Sequence, residues 1–379
     1  MNADNRWPTA DAPADDAPFY ARLAERLGAL IGAQDYDTVL VPGEAIVALE
    51  AVARETGANR LRVLNVATST YGALFGQWIE EEGGSVTTIA PATPGQPIPV
   101  TTVADELAKG YDALAFVHGE AATAIVNPIR EILTVAQGLG IATIIDAVAS
   151  VGAEPLDLAG PDAADIVVLG PQKALAGPAG ISAVSLSTRG WELLARRRGR
   201  VASFSSVSLL DIRRDWLDAG KVKIPGTPAP HELWALDAAL HAVEHEQISA
   251  VVRRHRRAAA AARAGVSGLG LHLWVERIEE SSGLLTAALL PHDVDPDAVI
   301  NLAHTQFGVT LTHAPEGIDG RLIKLPHTGR QAQFAAVVAT VAGLGGALRT
   351  AGHTADVAAG VDAVVAAYAD DANRDADPG

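Results

Sequence analysis

The feature that most constrains this chain is an alternation. Between Asp37 and Ser187 seven short apolar runs recur: DTVLVP, LRVLNVA, VTTIA, DALAFVH, ATIIDAVAS, DIVVLG and ISAVSLS. They are rich in Val, Ile, Leu and Ala and do not alternate with polar residues, which is the pattern of strands buried on both faces of a sheet. Stretches with helical spacing separate most of them, at Glu44–Thr56, Gly72–Gly83, Val103–Lys109 and Pro128–Leu139. A further amphipathic helix is predicted ahead of them, from Phe19 to about Ala33. Buried strands interleaved with helices predict an α/β domain with a mostly parallel, doubly wound sheet. In such sheets ligands sit outside the carboxyl ends of the strands.

The pattern changes after Thr227. Two long helices follow, then shorter elements: LHLWVE, LTAALL, a helix near Asp295–His304, GVTLTH and RLIKL, with closing helices at Gln331–Thr350 and about Ala355–Tyr368. The expected division is a large domain over 18–248 and a smaller α+β domain over 249–370. Acidic segments at 1–17 and 371–379 are expected to be disordered. A chain of 379 residues is long enough for this arrangement.

Bulk charge narrows the function. With 29 basic against 45 acidic residues the net charge is −16, which argues against binding nucleic acid or an anionic membrane. The absence of cysteine removes disulfides, thiolate metal sites and thiol nucleophiles. No apolar run reaches membrane-spanning length, and the opening residues lack a basic stretch followed by an apolar one, so a cytoplasmic location is expected. Eleven histidines raise the question of a metal. His241 and His245 stand one helical turn apart, but a third ligand is needed, and the run RRHRR around His255 reads as a solvated basic face. No metal is expected.

Three residues share one chemical logic. Lys173 follows a strand in the Gly/Pro-rich loop LGPQKALAGPAG. A lysine held there among small residues suits Schiff-base chemistry, though it equally suits an ordinary loop lysine. Asp146 ends the strand in ATIIDAVASVG. A carboxylate at that place can keep a pyridine nitrogen protonated, or simply cap a turn. Tyr71, in LNVATSTYGALFGQW, can stack on an aromatic ring or fill an ordinary tyrosine position.

Together these stretches resemble the fold type I, class V aminotransferases of the serine/alanine–glyoxylate type. The resemblance runs over roughly residues 35–350 and is carried by VHGEAATAIVNPI, IIDAVASVGAEPLD, ADIVVLGPQKALAGPAGISAVSLS and GTPAPHELWALDAAL. It implies that Lys173 is the Schiff-base lysine, Asp146 the partner of the pyridinium nitrogen and Tyr71 the ring-stacking aromatic. It also implies that Gln172 and Thr227 belong to the cofactor site, and that the site is completed by a loop around Lys223–Thr227 from a neighbour in a homodimer or homotetramer.

One departure is informative. Where such enzymes hold the cofactor phosphate with small and hydroxyl residues, this chain reads VPGEAIV, placing Glu44 and Ala45 at the turn. Ala121 and Ile224 replace further donors. A carboxylate and a phosphate dianion in one small site repel strongly at reduced dielectric. GEAIVALEA, VLNVATSTYGALFGQW, ARAGVSGLGLHLW and GLGGALRTAG resemble the pyridoxamine–pyruvate aminotransferase subgroup, in which free pyridoxamine and pyridoxal are substrates. The alternative is a class V aminotransferase or lyase of secondary metabolism that binds pyridoxal 5′-phosphate. A second departure concerns the other substrate. The arginine that grips its carboxylate is replaced by Lys324 in IKLPHTG, with Arg321, His313 and His327 as possible helpers.

Overall fold

The computed structural model describes residues 16–160, 162–196, 205, 207–226, 228–314 and 320–376. In chain order the first part contains α1 (Ala17–Ala29), β1 (Asp37–Pro42), α2 (Ala45–Ala58), β2 (Arg62–Val66), α3 (Thr70–Glu81), β3 (Ser85–Ile89), α4 (Val100–Leu107), β4 (Ala113–Val117), α5 (Ile129–Gly138), β5 (Ala142–Asp146), β6 (Ile166–Leu169) and β7 (Ile181–Leu186). Then come α6 (Thr188–Leu194), α7 (Leu209–Ile212), a π-helical turn over Arg213–Leu217, α8 (Pro230–Glu246) and α9 (Ile248–Gly268). The last part holds β8 (His272–Leu273), β9 (Leu285–Leu289), α10 (Pro296–Phe307), β10 (Thr312–His313), β11 (Leu322–Pro326), α11 (Phe334–Thr350) and α12 (Val357–Ala376).

Seven strands form one sheet in the order β1-β7-β6-β5-β4-β2-β3. β4, β6 and β7 are buried at every position, which is why their sequences are apolar throughout. The edge strand β3, SVTTI, has no fully buried residue. All strands run parallel except β7, which pairs antiparallel with both β1 and β6. The physical reason is the connection: only the loop 170–180 joins β6 to β7, too short for the crossover that a parallel return requires. Because these strands run parallel, the carboxyl ends of β1, β2, β4, β5 and β6 all open on one side, and the sheet reverses its winding between β2 and β4.

The smaller sheet is antiparallel, in the order β10-β11-β9-β8, and packs its apolar face against α9, α10 and α11. A separate apolar cluster joins the two sheets through Ala124, Ala149, Ala174, Leu285 and Leu322. α1 begins earlier than its spacing predicts because Asp16 accepts the Phe19 N–H and Pro18 fits the first turn. At the other end α12 continues to Ala376, so the tail expected to be disordered from 371 is helical that far. Residues 1–15 and 377–379 lie outside the described residues. No helix among the described residues is long and apolar enough to cross a membrane.

Candidate active site

A cavity of about 140 Å³ lies at the carboxyl ends of the parallel strands. Its lining includes Glu44 and Ala45 after β1, Tyr71 after β2, Gly119, Glu120 and Ala121 after β4, Asp146 at the end of β5 and Lys173 after β6. Ile46, Leu49, Trp78, Val117, Val148 and Ala149 supply apolar wall. Five loops far apart in sequence thus converge because each follows a strand of the same sheet.

The Glu44 corner is set by the backbone. β1 ends at Pro42, and Gly43 then turns the chain with φ +122°, a conformation that L side chains rarely adopt. The Gly43 N–H donates to the Gly180 carbonyl at 2.9 Å, tying the turn to the start of β7. Glu44 is therefore the N-cap of α2. Its Oε2 accepts the Ile46 N–H at 3.1 Å, and its Oε1 accepts from the Gln172 amide at 2.5 Å. Gln172 Oε1 is buried and makes no hydrogen bond. The helix N-terminus, an anion-attracting place, thus holds a carboxylate belonging to the protein.

Asp146 is half-buried, and its Oδ1 accepts the Val148 N–H at 2.9 Å. Burial pushes its carboxyl up to about 6 and Glu44 pushes the same way, while the Val148 N–H and the Lys173 ammonium pull it down. Lys173 sits in a turn closed by Ala176 N–H to the Lys173 carbonyl (3.0 Å) and Gly177 N–H to the Pro171 carbonyl (2.8 Å). Tyr71 is 53% exposed, so the side of the cavity it covers is open. Glu120 was not among the residues singled out from sequence. It is buried in the lining and accepts from the Thr68 hydroxyl at 2.6 Å, which in turn accepts from the Asn127 amide at 2.9 Å. The signal available was an acidic residue directly after the strand in VHGE.

Asp146 yields a test of these electrostatics. Its folded-state pKa lies above the ordinary 3.8, so its stabilising contribution is complete below that value and is lost as pH rises through about 6. Asp146→Asn removes this penalty while keeping an oxygen for the Val148 N–H. The ligand-free variant should be more stable than wild type at pH 8 by up to about 2–3 kcal/mol and equal to it near pH 3. Denaturant melts at the two pH values check this; equal stability at pH 8 would contradict a strained carboxylate.

The residues expected to hold the second substrate are scattered. Lys324, on β11, brings its Nζ to 3.4 Å from the Ala121 carbonyl and so reaches the cavity edge. Arg321 donates to the Leu290 carbonyl at 2.6 Å, within the small sheet. His313 is exposed and pairs with Asp297 at 2.7 Å. His327 is buried with its Nε2 3.1 Å from the Thr286 hydroxyl, and burial pushes it down to about 3, so it is neutral. None of Lys324, Arg321, His313 and His327 lines the cavity, Lys324 approaching it through the Ala121 carbonyl. Thr227 lies outside the described residues, and Ile224 is buried in the large core.

The basic run on α9 corrects an expectation. It is not a uniformly solvated face: His255 is fully buried, and Arg254 and Arg256 are engaged with Glu246 and the buried Glu154. Hydrophobic neighbours on α9 turn one side of the run inward, which charge counting alone does not reveal. Among the described residues no group of three His, Cys, Asp or Glu is placed to hold a metal.

Comparison with known proteins follows this geometry. The pattern defining the family Aminotransferase class-V matches residues 17–317, a span that includes Glu44, Tyr71, Asp146 and Lys173 but not Lys324. The pyridoxamine–pyruvate transaminase of Mesorhizobium japonicum is 31% identical over 340 residues, 88% of this chain and 84% of that protein. The serine–glyoxylate aminotransferase of Hyphomicrobium methylovorum is 26% identical, over 85% of this chain and 80% of its own. The crystal structure of pyridoxamine–pyruvate aminotransferase from Mesorhizobium loti superposes with a TM-score of 0.89 at 28% identity, covering 96% of this chain and 92% of that one. Class V aminotransferases use pyridoxal 5′-phosphate. With its fold and family pattern in agreement, this chain belongs to the class V aminotransferases.

Proposed function

We propose that the protein moves an amino group from free pyridoxamine to a small 2-oxo acid such as pyruvate, giving pyridoxal and alanine. The observation that carries this reading is Glu44 at the N-terminus of α2. Its carboxylate takes a helix N–H and the Gln172 amide, at the place where a phosphate dianion would need donors. A neutral hydroxymethyl group can donate a hydrogen bond to that carboxylate; a phosphate is repelled by it. The similarity to pyridoxamine–pyruvate transaminase supports the same substrate class.

A bound vitamin B6 ring supplies a reactive carbonyl or amine carbon and a pyridinium that withdraws electrons. The residues of this chain do the rest. Lys173 would provide the amine that meets the aldehyde, and its nitrogen would take the proton released from the vitamer's amine-bearing carbon and return it to the α-carbon of the acid. Asp146, in the cavity lining, would hold the ring nitrogen protonated, and the resulting ionic pair would lower its pKa again. Tyr71 would cover one ring face with Ala121 and Ala45 bordering it, while Gln172 orients Glu44. Lys324 faces the carboxylate of the oxo acid.

The test is direct. Purified protein incubated with pyridoxamine and pyruvate should produce pyridoxal and alanine in equal amounts. Activity that instead needs added pyridoxal 5′-phosphate and an amino-acid donor would replace this reading with an ordinary phosphate-dependent enzyme. Lys324 has its own signature. Lys324→Ala should raise the pyruvate KM by about tenfold or more and leave the pyridoxamine KM within about threefold. Lys324→Arg, which grips a carboxylate with two hydrogen bonds, should keep or improve pyruvate use. Unchanged oxo-acid kinetics in both variants would move the recognition site elsewhere.

The open side of the cavity at Tyr71 supports assembly. Lys223, Ile224, Pro225 and Gly226 border a different hollow of their own chain, beside Asp211 and Arg214. We expect at least a homodimer in which that loop meets a neighbour's cavity. Sedimentation at micromolar concentration checks it, and an active monomer would remove the claim.

A further inference from the structure

His255 has no part in the transfer chemistry, yet it is one of the most completely enclosed polar groups in the protein. Its Nδ1 lies 2.8 Å from the Val251 carbonyl one turn back on α9, and its Nε2 accepts the Gly329 N–H at 3.0 Å. That pair of contacts fixes one tautomer, with the proton on Nδ1 and a bare Nε2. The next residue back completes a grip on the same glycine. Arg254, held by Glu246 through Nε (2.6 Å) and Nη2 (3.0 Å), donates from Nη1 to the Gly329 carbonyl at 2.7 Å.

Gly329 is a meeting point of the two domains. It follows β11, the strand that bears Lys324, by three residues. Its φ is +57°, and a Cβ built on it would lie 3.0 Å from the Ala176 Cβ and 3.2 Å from the Lys173 carbonyl oxygen. The turn that leaves β11 therefore rests directly on the turn that carries Lys173. Any side chain at 329 would wedge the two apart.

We propose that His255 is a positioning residue: by accepting the Gly329 N–H it holds the Lys324 strand in register with the Lys173 turn, and so sets the spacing between the reacting amine and the group that binds the oxo acid. The proposal rests on the roles given above to Lys173 and Lys324. It predicts a split. The pyridoxal subsite, built from Glu44, Tyr71, Asp146 and Lys173, does not depend on the clamp, because the lysine turn is closed by its own bonds from Ala176 to Lys173 and from Gly177 to Pro171. Oxo-acid recognition spans the two domains and does.

The experiment compares His255→Leu with His255→Gln in the full chain, using pyridoxal, pyridoxamine and pyruvate as probes. Leucine keeps apolar volume but leaves the Gly329 N–H unpaired; glutamine can offer Oε1 to it. His255→Leu should lower kcat/KM for pyruvate about tenfold or more while the pyridoxal Kd stays within about threefold. Hydrogen exchange in peptides spanning 327–332 should quicken by a similar factor. His255→Gln should return both readouts to within about threefold of wild type. Wild-type behaviour of the leucine variant, or equal damage in both variants, overturns the proposal. Should the leucine variant fail to fold, Arg254→Met releases the carbonyl side of the same residue, Gly329. It should show the same split, and wild-type behaviour there overturns the proposal too. A wild-type protein that ignores pyruvate would sink the functional reading, whereas the exchange data would still report on the clamp.

Discussion

Wild-type protein should bind pyridoxal at least about a hundredfold more tightly than pyridoxal 5′-phosphate. The expectation comes from one carboxylate. Glu44 at the cap of α2 can accept a hydrogen bond from the 5′-hydroxymethyl group, and it repels a dianion placed there. Glu44 is exposed in the single chain, so the contrast takes full effect once a bound ring covers it; exchanging a charge-assisted hydrogen bond for close repulsion is then worth about 2–3 kcal/mol. Glu44→Ser should shrink or reverse the preference. Serine still caps the helix, so the fold survives, and the emptied N-terminus becomes an anion site again. Paired spectral titrations of both proteins with both compounds measure it. Tight phosphate binding by wild type, unchanged in the variant, would end the free-vitamer reading and leave a phosphate-dependent class V enzyme.

Lys173→Ala should abolish the yellow absorbance that the protein's amine gives with pyridoxal and cut transamination by at least about a thousandfold, since the nucleophile and the proton carrier are lost together. The fold should survive, because the Lys173 backbone, not its side chain, closes the turn with Ala176. Far-UV circular dichroism separates loss of chemistry from loss of structure. Near-normal turnover in this variant would mean that another amine does the work.

The sheet and the gathering of Glu44, Tyr71, Asp146 and Lys173 at one end of it are legible in the amino-acid sequence. Asp146 and Lys173 could be placed because each directly follows a buried apolar run, and a parallel sheet gathers all such positions on one side. Glu44 stood out because it broke a local rule, an acid where an anion was to be bound. The antiparallel direction of β7 was hidden, since an apolar strand reads alike in either direction and only the short loop 170–180 betrays it. Glu120 was passed over because its burial depends on Thr68, fifty-two residues away. His255 was misread for a similar reason. Its neighbours in sequence are arginines, and what encloses it is a turn 74 residues further on. The position of Lys324 was least legible, because it depends on how the two sheets meet. Periodicity reports which face of an element is covered and not what covers it.

The place of β1 in the sheet has a consequence for how the molecule is made. β1 has one neighbour in the sheet, β7, the last strand of that sheet to be synthesised. Until Leu186 has left the ribosome, the strand that leads into Glu44 has nothing to pair with. Joining the two closes a long loop of chain, an entropic cost met only once the central strands have already drawn together. The order of events is thus built into the topology. The Lys173 turn and Asp146 lie on adjacent strands at the centre of the sheet, and the Glu44 corner, which hangs on the pairing of β1 with β7, is the last of the cavity's walls to be fixed.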